Sequence, residues 1–304
     1  MKTLGALTVV LALFVTGCGS KTNTISSSKT QHGIIGGELV SSQDTLSKSI
    51  VGIYDDNEGF TCTGTLLPDN MVVTAAHCVG KKTKGVFIVF APDMESLLNL
   101  GPKFLTHESV RAVVGMRAHP DFHLSQDPSV PGNDIALMKY EGTTPEGYVA
   151  TKVVTDLSLI KPGAETILAG YGVEKDTVIE VNPKKIKNLQ KLIDAGVVFC
   201  DSDDARFAKE CVREELEGPA ILKATTVVIN SIPNDKEVIL DQTQGHAACS
   251  GDSGGPAFIK VGDEYQLWGA TSRSGLGCNT DIVYTNVLSY ADWIKTTASL
   301  MKIY

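Results

Sequence analysis

Three residues with the clearest capacity for chemistry are a serine, a histidine and an aspartate in separate short motifs. Ser253 lies in "CSGDSGGP", a stretch whose glycines and proline are costly in an ordinary strand or helix. A serine hydroxyl is a weak nucleophile, so it needs a base within hydrogen-bond reach and a carboxylate that orients the base. His77 in "TAAHC" and Asp134 in "NDIAL" could supply these groups. The three residues together predict nucleophilic attack on a carbonyl carbon.

Each of these signals has an ordinary structural explanation when taken alone. A single histidine or aspartate is more often a hydrogen-bonded core residue or a surface residue than a catalytic group, and a glycine-rich stretch can be a plain turn. The combination is more informative, since a nucleophile, a base and a carboxylate are all present.

The elements that must position these residues are short strands. Apolar runs such as "SIVGIY", "MVVTAAH", "DIALMKY" and "TILAGYG" are separated by Gly, Pro, Asn and Asp, a pattern typical of β-sandwiches and β-barrels. Sustained helical spacing occurs in the tail "LSYADWIKTTASLMKIY", which places Tyr290, Trp293, Ile294 and Leu300 close to one face. We find no internal repeat.

Composition limits the class of protein and of partner. The 304 residues are 42% hydrophobic, enough for at least one sizeable core. Length alone suggests two domains, although β-barrels of this size also occur as one unit. The net charge of −8 provides no basic stripe along which a phosphate backbone could lie. We therefore expect no nucleic-acid partner.

The first residues have the pattern of an export signal. Lys2 precedes an apolar run from Leu4 to Val15, which is shorter than the ~20 residues of a spanning helix. The alternative is an N-terminal core strand, which the flanking Lys2 disfavours. The ending "VTGC" resembles the lipobox of bacterial lipoproteins. We therefore predict a signal peptide over residues 1–17, lipidation of Cys18, and a polar linker or pro-segment over residues 18–33.

The seven cysteines indicate disulfide bonds. A lipidated Cys18 leaves six, and export places them in an oxidising compartment, where bridges are the rule. Six cysteines allow 15 connectivities, so their number does not decide the pairing.

The motifs "TAAHC", "NDIAL" and "CSGDSGGP", in that order, resemble those of the chymotrypsin-like (trypsin-fold) serine endopeptidases. The resemblance runs from "IIGG" at Ile34 to the terminal helix beginning near Ser289. It implies an all-β fold of two perpendicular six-stranded antiparallel β-barrels with a C-terminal helix, over residues 34–304. An atypical insertion of about residues 175–219, rich in charge and in helix formers, departs from the family pattern. We expect its charges to form a solvated face.

The resemblance also implies a role for each catalytic residue. His77 would accept the proton of Ser253 and pass it to the leaving amine, while Asp134 holds the imidazole tautomer. The amides of Gly251 and Ser253 would form the oxyanion hole. Ser272 would hydrogen-bond Asp134 and begin the strand that pairs with the substrate.

Substrate preference follows from the residues aligned with the family's primary pocket. Ala247, at its base, supplies no charge to pair with Lys or Arg. Ser274 would lie on one wall, and Ile282 would replace a glycine that usually keeps the pocket deep. This predicts small or medium apolar residues at P1, the residue on the carbonyl side of the scissile bond. A register shift of one residue would instead place Asp281 in the pocket and favour basic residues. Arg273 stands where the family commonly has tryptophan.

The resemblance further implies activation by cleavage before Ile34. The freed ammonium would pair with Asp252 and assemble the oxyanion hole, so an uncut chain should leave Asp252 elsewhere. The preceding Gly33 argues against a trypsin-like activator. Cleavage there would also separate the catalytic domain from Cys18, so we expect activation and release from the membrane to be one event.

The resemblance implies two disulfides and leaves a third pair without a family counterpart. The pairs are Cys62 with Cys78, Cys249 with Cys278 and, as the remainder, Cys200 with Cys211. His119 and His123 have the spacing of a helical metal-ligand pair, but Pro120 disfavours a helix there. We therefore predict no catalytic metal and no cofactor, and leave a structural calcium site open.

The sequence thus predicts an exported serine endopeptidase of the bacterial cell envelope. It would act as a monomer on proteins or peptides, bound to the membrane by a lipid anchor before activation and released as a soluble enzyme afterwards. Two alternatives are a catalytically inactive trypsin-fold binding module and a purely structural envelope lipoprotein.

Overall fold

Strands form most of the regular structure of the chain, of which a computed structural model describes residues 34–124 and 130–302. Within that part, the strands are β1 (Glu38–Leu39), β2 (Ile50–Asp55), β3 (Phe60–Leu67), β4 (Met71–Thr74), β5 (Val86–Val89), β6 (Val110–Ala118), β7 (Ala136–Tyr140), β8 (Lys152–Val153), β9 (Glu165–Gly170), β10 (Lys175–Val181), β11 (Phe199–Cys200), β12 (Cys211–Glu217), β13 (Lys223–Ser231), β14 (Glu237–Asp241), β15 (Pro256–Val261), β16 (Glu264–Ser274) and β17 (Ile282–Asn286).

The first barrel is closed by six antiparallel strands in the order β2-β3-β4-β7-β6-β5, with β5 pairing back onto β2. Its strands are rich in β-branched and other apolar residues, which fit a pleated, buried surface. Ile53, Val72 and Ile88 are fully buried in its interior. β4 and β7 lie side by side, so the residues at the end of β4 and the start of β7 meet at one edge of this barrel.

The second barrel also has six antiparallel strands, in the order β9-β13-β14-β17-β16-β15, and β15 closes it by pairing with β9. β1 adds to β13 at one edge, and β8 runs parallel to β16. Trp268 is fully buried in this barrel, and its Nε1 donates to Thr166 Oγ1 over 2.9 Å. The prediction of an all-β fold with two six-stranded antiparallel barrels is confirmed.

Helices are short in the described part of the chain: α1 (Met94–Leu98), α2 (Leu189–Asp194) and α3 (Ala291–Met301). Single 3-10 turns occur at Leu46–Ser49, Ala76–Cys78, Gly101–Thr106, Leu157–Leu159, Pro183–Lys185, Leu276–Cys278 and Val287–Tyr290. α3 is the predicted C-terminal helix, and Trp293 and Ile294 pack against the core. Leu300, which helical spacing places close to the same face, is 57% exposed. None of these helices is long and apolar enough to cross a membrane.

Part of the atypical insertion forms a separate three-stranded sheet in the order β10-β12-β11, which we call the insertion sheet. β10 and β12 pair over seven residues, from Lys175 opposite Glu217 to Val181 opposite Cys211. β12 has the sequence "CVREELE", whose composition favours a helix. Its pairing with β10 and the disulfide between Cys200 and Cys211 hold it as a strand instead.

Candidate active site

His77 lies in the 3-10 turn Ala76–Cys78, directly after β4. The disulfide between Cys62 and Cys78 ties this turn to β3. His77 Nδ1 lies 2.8 Å from Asp134 Oδ2, and the backbone N–H of His77 donates to Asp134 Oδ1 over 3.1 Å. The imidazole is thus oriented by two contacts with one carboxylate, while its side chain remains 26% exposed.

Asp134 precedes β7 and is completely buried between the barrels. Ser272 Oγ, near the end of β16, donates to Asp134 Oδ2 over 2.7 Å, and Thr285 Oγ1 donates to the Asp134 carbonyl over 2.9 Å. Burial alone would raise the pKa of Asp134, but the hydrogen bonds and charge of His77 and the hydrogen bond of Ser272 hold it below its ordinary value. Asp134 is therefore ionised at neutral pH.

Ser253 lies on a turn whose backbone only glycines can follow on either side. Gly251 has φ +97° and Gly254 has φ +74°. A Cβ at Gly254 would lie 1.9 Å from Thr74 Oγ1, so the serine turn is pressed against the end of β4. The backbone N–H of Thr63 donates to the Ser253 carbonyl over 2.9 Å, a second link between the turn and the first barrel.

Two backbone amides beside Ser253 are available to a ligand. Across the described ranges, the N–H groups of Gly251 and Ser253 donate to no protein acceptor, whereas the Gly251 carbonyl accepts from Thr63 Oγ1 over 2.9 Å. Ser253 Oγ likewise forms no hydrogen bond with His77 among these residues. Such catalytic hydrogen bonds are often long before substrate binds.

Asp252 is buried next to the serine turn. Its Oδ1 accepts from the Gly172 amide and its Oδ2 from the Cys249 amide, each over 2.8 Å. Burial raises the pKa of Asp252 to about 7, although these amides and the charge of Lys223 act against the rise. The chain is uncut, so this location differs from the expectation that Asp252 lies elsewhere before cleavage. The two amide donors and the nearby charge of Lys223 explain how the side chain can be buried before a new ammonium is available.

Ile34 is fully buried in the core of the second barrel. Its φ of +40° is unusual for a β-branched residue and indicates backbone strain. The next residue, Ile35, forms an antiparallel bridge with Ala247, whose N–H donates to the Ile35 carbonyl over 3.0 Å. The segment that begins at Ile34 therefore lies directly behind the pocket.

A cavity of about 340 Å³ opens beside Ser253. Ser272, Ser274 and Ile282, which the sequence analysis assigned to the substrate pocket, line this cavity, and Ile282 is only 2% exposed. Ser274 pairs with Ile282 between β16 and β17. Asp281 is exposed and accepts from Asn230 Nδ2 over 2.9 Å, so the alternative register with Asp281 in the pocket is wrong.

Ala247 is 1% exposed, and it is not among the described residues that line the cavity. The structure therefore does not place Ala247 on the cavity surface, in contrast to its predicted place at the base of the pocket. The disulfide between Cys249 and Cys278 connects the segment carrying Ser253 to the opposite wall.

Sequence reasoning missed two residues that line the cavity. Phe199 and Glu214 line it from the insertion sheet, and no local motif marks either residue. Arg273 also lines it, and its guanidinium binds both oxygens of Glu237 at 2.9 and 3.0 Å. Glu237 Oε1 also accepts from the Gly132 amide over 2.8 Å, close to Asp134 in sequence.

Residues that could hold a metal ion are poorly suited to do so in the described part of the chain. Both clusters of candidate ligands there contain the two cysteines of a disulfide, whose sulfurs are not thiolates. His119 instead packs its ring against Tyr290 and Trp293.

Two closed β-barrels, with a histidine–aspartate pair from one and a serine turn from the other, define the chymotrypsin-like class of serine proteases. A family model described as Trypsin matches residues 34–194 and 215–294, so the chain belongs to the trypsin family. It is similar to tryptase of Mus musculus, with 28% identity over 273 residues, 87% of this chain and 88% of that protein. It is also similar to chymotrypsin-like elastase family member 1 of Felis catus, with 29% identity over 248 residues, 77% of each chain.

Both relatives are animal proteins, so they give no support to the bacterial lipoprotein interpretation of the leader. The predicted signal peptide, Cys18 and the pro-segment up to Gly33 lie outside the described residues. The three disulfides, Cys62–Cys78, Cys200–Cys211 and Cys249–Cys278, are typical of an extracellular protein.

Proposed function

We propose that the protein is a serine endopeptidase that uses His77, Asp134 and Ser253. The observation that carries the proposal is the 2.8 Å contact between His77 Nδ1 and the buried Asp134 carboxylate, beside a serine turn that opens into a cavity. Family membership supports the same reaction class.

The reaction proceeds in two halves. Ser253 Oγ attacks the peptide carbonyl carbon while His77 Nε2 takes its proton, and the imidazolium then protonates the leaving amine to give an acyl-enzyme. Water, deprotonated by His77, attacks the acyl carbon, and the proton returns to Ser253. Asp134, with Ser272 as hydrogen-bond donor, stabilises the imidazolium in both halves.

The free amides of Gly251 and Ser253 provide the donors for the oxyanion. Each such donor contributes about 3 kcal/mol to stabilisation of the transition state. Since both amides lack a protein acceptor among the described residues, they need not break an internal bond to accept this charge.

Labelling with a serine-reactive fluorophosphonate tests the proposal. We expect the active form to be labelled, and Ser253→Ala to lose the label. Ser250→Ala is the matched control, because Ser250 lines the same cavity and lies in the same motif, three residues before Ser253. A binding module that has lost catalysis would show no Ser253-dependent label and no hydrolysis of peptides, and that result would overturn the proposal.

We further propose a preference for small or medium apolar P1 residues. Ile282 occupies the pocket wall, Ala247 brings no charge and Asp281 lies outside. Peptide amides with Ala, Val, Phe or Arg at P1 measure this preference, and Ile282→Gly should deepen the pocket and favour Phe. Dominant cleavage after Arg would contradict it.

Activation is proposed to follow cleavage between Gly33 and Ile34. The new ammonium would pair with Asp252, which is buried and raised in pKa, and the strain at Ile34 would be released. If Cys18 carries a lipid, the same cut frees a soluble monomer from the envelope. Membrane fractionation with N-terminal sequencing tests this. A membrane-bound form that starts at Cys18 and has full peptidase activity would refute it.

A further inference from the structure

The insertion sheet contributes part of the wall of the cavity that contains Ser253. Phe199 from β11 and Glu214 from β12 both line that cavity. The family model leaves residues 195–214 unmatched, and this gap includes both residues. This part of the wall therefore lies outside the match to the family model and is not assigned by family membership.

Phe199 and Glu214 are held in place by the sheet and by the pocket wall. Phe199 pairs with Val212 next to the Cys200–Cys211 disulfide. Glu214 Oε1 accepts from the Gly277 amide over 3.1 Å, within the 3-10 turn Leu276–Cys278, whose two end residues also line the cavity. The carboxylate is thus fixed at the cavity rather than extended into solvent.

The cavity has an uncompensated negative charge. Among its described lining residues Arg273 is the only cation, and both terminal nitrogens of its guanidinium bind Glu237. Asp176 lies beside Glu214, and its Oδ2 is 3.5 Å from Cys278 Sγ. Burial and the neighbouring Asp176 raise the pKa of Glu214, against the effect of the Gly277 amide, as expected of a carboxylate without a cationic partner.

The apolar and acidic groups lie at the outer part of the cavity. Phe199 is 36% exposed and Glu214 is partly exposed, whereas Ile282 on the inner wall is 2% exposed. A long side chain could lay its alkyl stem on the Phe199 ring and place its charge at Glu214, in the way that lysine and arginine commonly bury their stems.

We propose that Phe199 and Glu214 form a subsite for a lysine or arginine of the substrate that flanks the apolar P1 residue. This inference rests on the proposed function, and it assigns two substrate-contacting residues to the insertion sheet. P1 remains limited by Ile282, and the flanking cation adds a second requirement for cleavage.

Peptides with Ala fixed at P1 test the subsite. Each flanking position, on either side of P1, carries in turn Lys, norleucine or Glu. Norleucine has the alkyl stem of Lys without its charge. At one of these positions we expect kcat/KM to be about fivefold higher for Lys than for norleucine, and lowest for Glu. High salt should reduce the ratio of Lys to norleucine in the unmodified protein, since the contact is partly exposed.

Matched variants separate the two contributions. Glu214→Gln should lower the ratio of kcat/KM for Lys to that for norleucine to about one. Glu215→Gln is the control, because it makes the same charge change one residue along β12, at a side chain paired with Arg213. The control should preserve the ratio. Phe199→Ala should lower kcat/KM for both Lys and norleucine peptides. Phe207→Ala, which truncates a 66% exposed ring in the same segment, should leave both unchanged.

The outcomes that overturn the subsite differ from those that overturn catalysis. A ratio that persists in Glu214→Gln, or that falls equally in Glu215→Gln, refutes the subsite. If the protein hydrolyses nothing and Ser253 is not labelled, the proposed function fails. The same peptides are then titrated against the unmodified protein and the Glu214→Gln variant. Tighter binding of Lys than norleucine peptides that depends on Glu214 supports the subsite, and equal binding refutes it.

Discussion

The two barrels and the insertion sheet contribute to one cavity by different physical means. From the barrels come Asp134, which is fully buried, and a serine turn fixed by glycines and close backbone contacts. From the insertion sheet come an exposed ring and a half-buried carboxylate, supported by three strands, one disulfide and a small apolar cluster. The difference indicates that the proposed catalytic geometry depends on buried hydrogen bonds, whereas the proposed recognition of a flanking cation depends on a peripheral sheet.

The strongest test of this separation is Asp134→Asn. The amide would present the wrong partner to His77 Nδ1, and we expect kcat to fall by about 10⁴-fold. The Lys-to-norleucine ratio should be unchanged, because Glu214 is not in contact with Asp134. Steady-state kinetics on the Ala-P1 peptides measure both quantities. A loss of the ratio together with kcat would show that the two regions are not separable.

Gly254→Ala tests how tightly the barrels hold the serine turn. The new Cβ would lie 1.9 Å from Thr74 Oγ1 at φ +74°, so we expect a loss of about 3 kcal/mol or more in the free energy of unfolding. Gly262→Ala is the control, because its φ of +63° is similar but nothing lies within 4 Å of the added Cβ. The control should lose about 1 kcal/mol by urea denaturation. Equal losses would contradict the packing argument.

The double variant Cys200→Ser/Cys211→Ser tests the insertion sheet separately. A short disulfide loop contributes about 2–4 kcal/mol, and here we expect that loss to be confined to the sheet. Limited proteolysis should cut near residues 183–208, the Lys-to-norleucine ratio should fall to one, and hydrolysis of an Ala-P1 peptide without a flanking cation should persist. Global unfolding would show that the barrels depend on the sheet.

Asp252 is tested by the pH dependence of stability of the uncut protein. Asp252 has a pKa near 3.8 when unfolded and about 7 in the folded protein. Between these two pH values, the folded state therefore retains a proton that the unfolded state has lost. Its contribution to stability is present below pH 3.8 and is lost as pH rises through about 7.

Asp252→Asn should remove this dependence, and cleavage before Ile34 should reduce it by supplying a cation. Thermal unfolding from pH 4 to 8, in a Ser253→Ala background that prevents self-digestion, measures it. If the melting temperature changes with pH equally in the proteins with Asp252 and with Asn at this position, the assignment of this pH dependence to Asp252 is refuted.

The barrels could be predicted, and the proposed catalytic residues located, because their signals are local. "TAAHC", "NDIAL" and "CSGDSGGP" each place a functional side chain next to a strand or turn whose composition can be read directly. The alternation of apolar residues gave the strands, and the structure confirms them as two six-stranded barrels.

The insertion could not be predicted in the same way. The composition of β12 favours a helix, and only its pairing with β10 makes it a strand. Glu214 reaches the cavity through a contact with Gly277, 63 residues along the chain. The choice between Asp281 and Ile282 likewise depended on the pairing of Ser274 with Ile282, because a shift of one residue exchanges the two faces of a strand.

The ends of the insertion sheet meet where it leaves the barrels. Lys175 and Glu217 are opposite each other in the β10–β12 pair, and Lys175 Nζ lies 2.8 Å from Glu217 Oε1. Its disulfide joins two residues of the segment to each other and none to the barrels. A different sequence of any length could therefore be exchanged between these two positions without rethreading a barrel. Insertions and deletions at this junction offer evolution, or an engineer, a way to change which substrates are cut while the hydrolytic machinery stays the same.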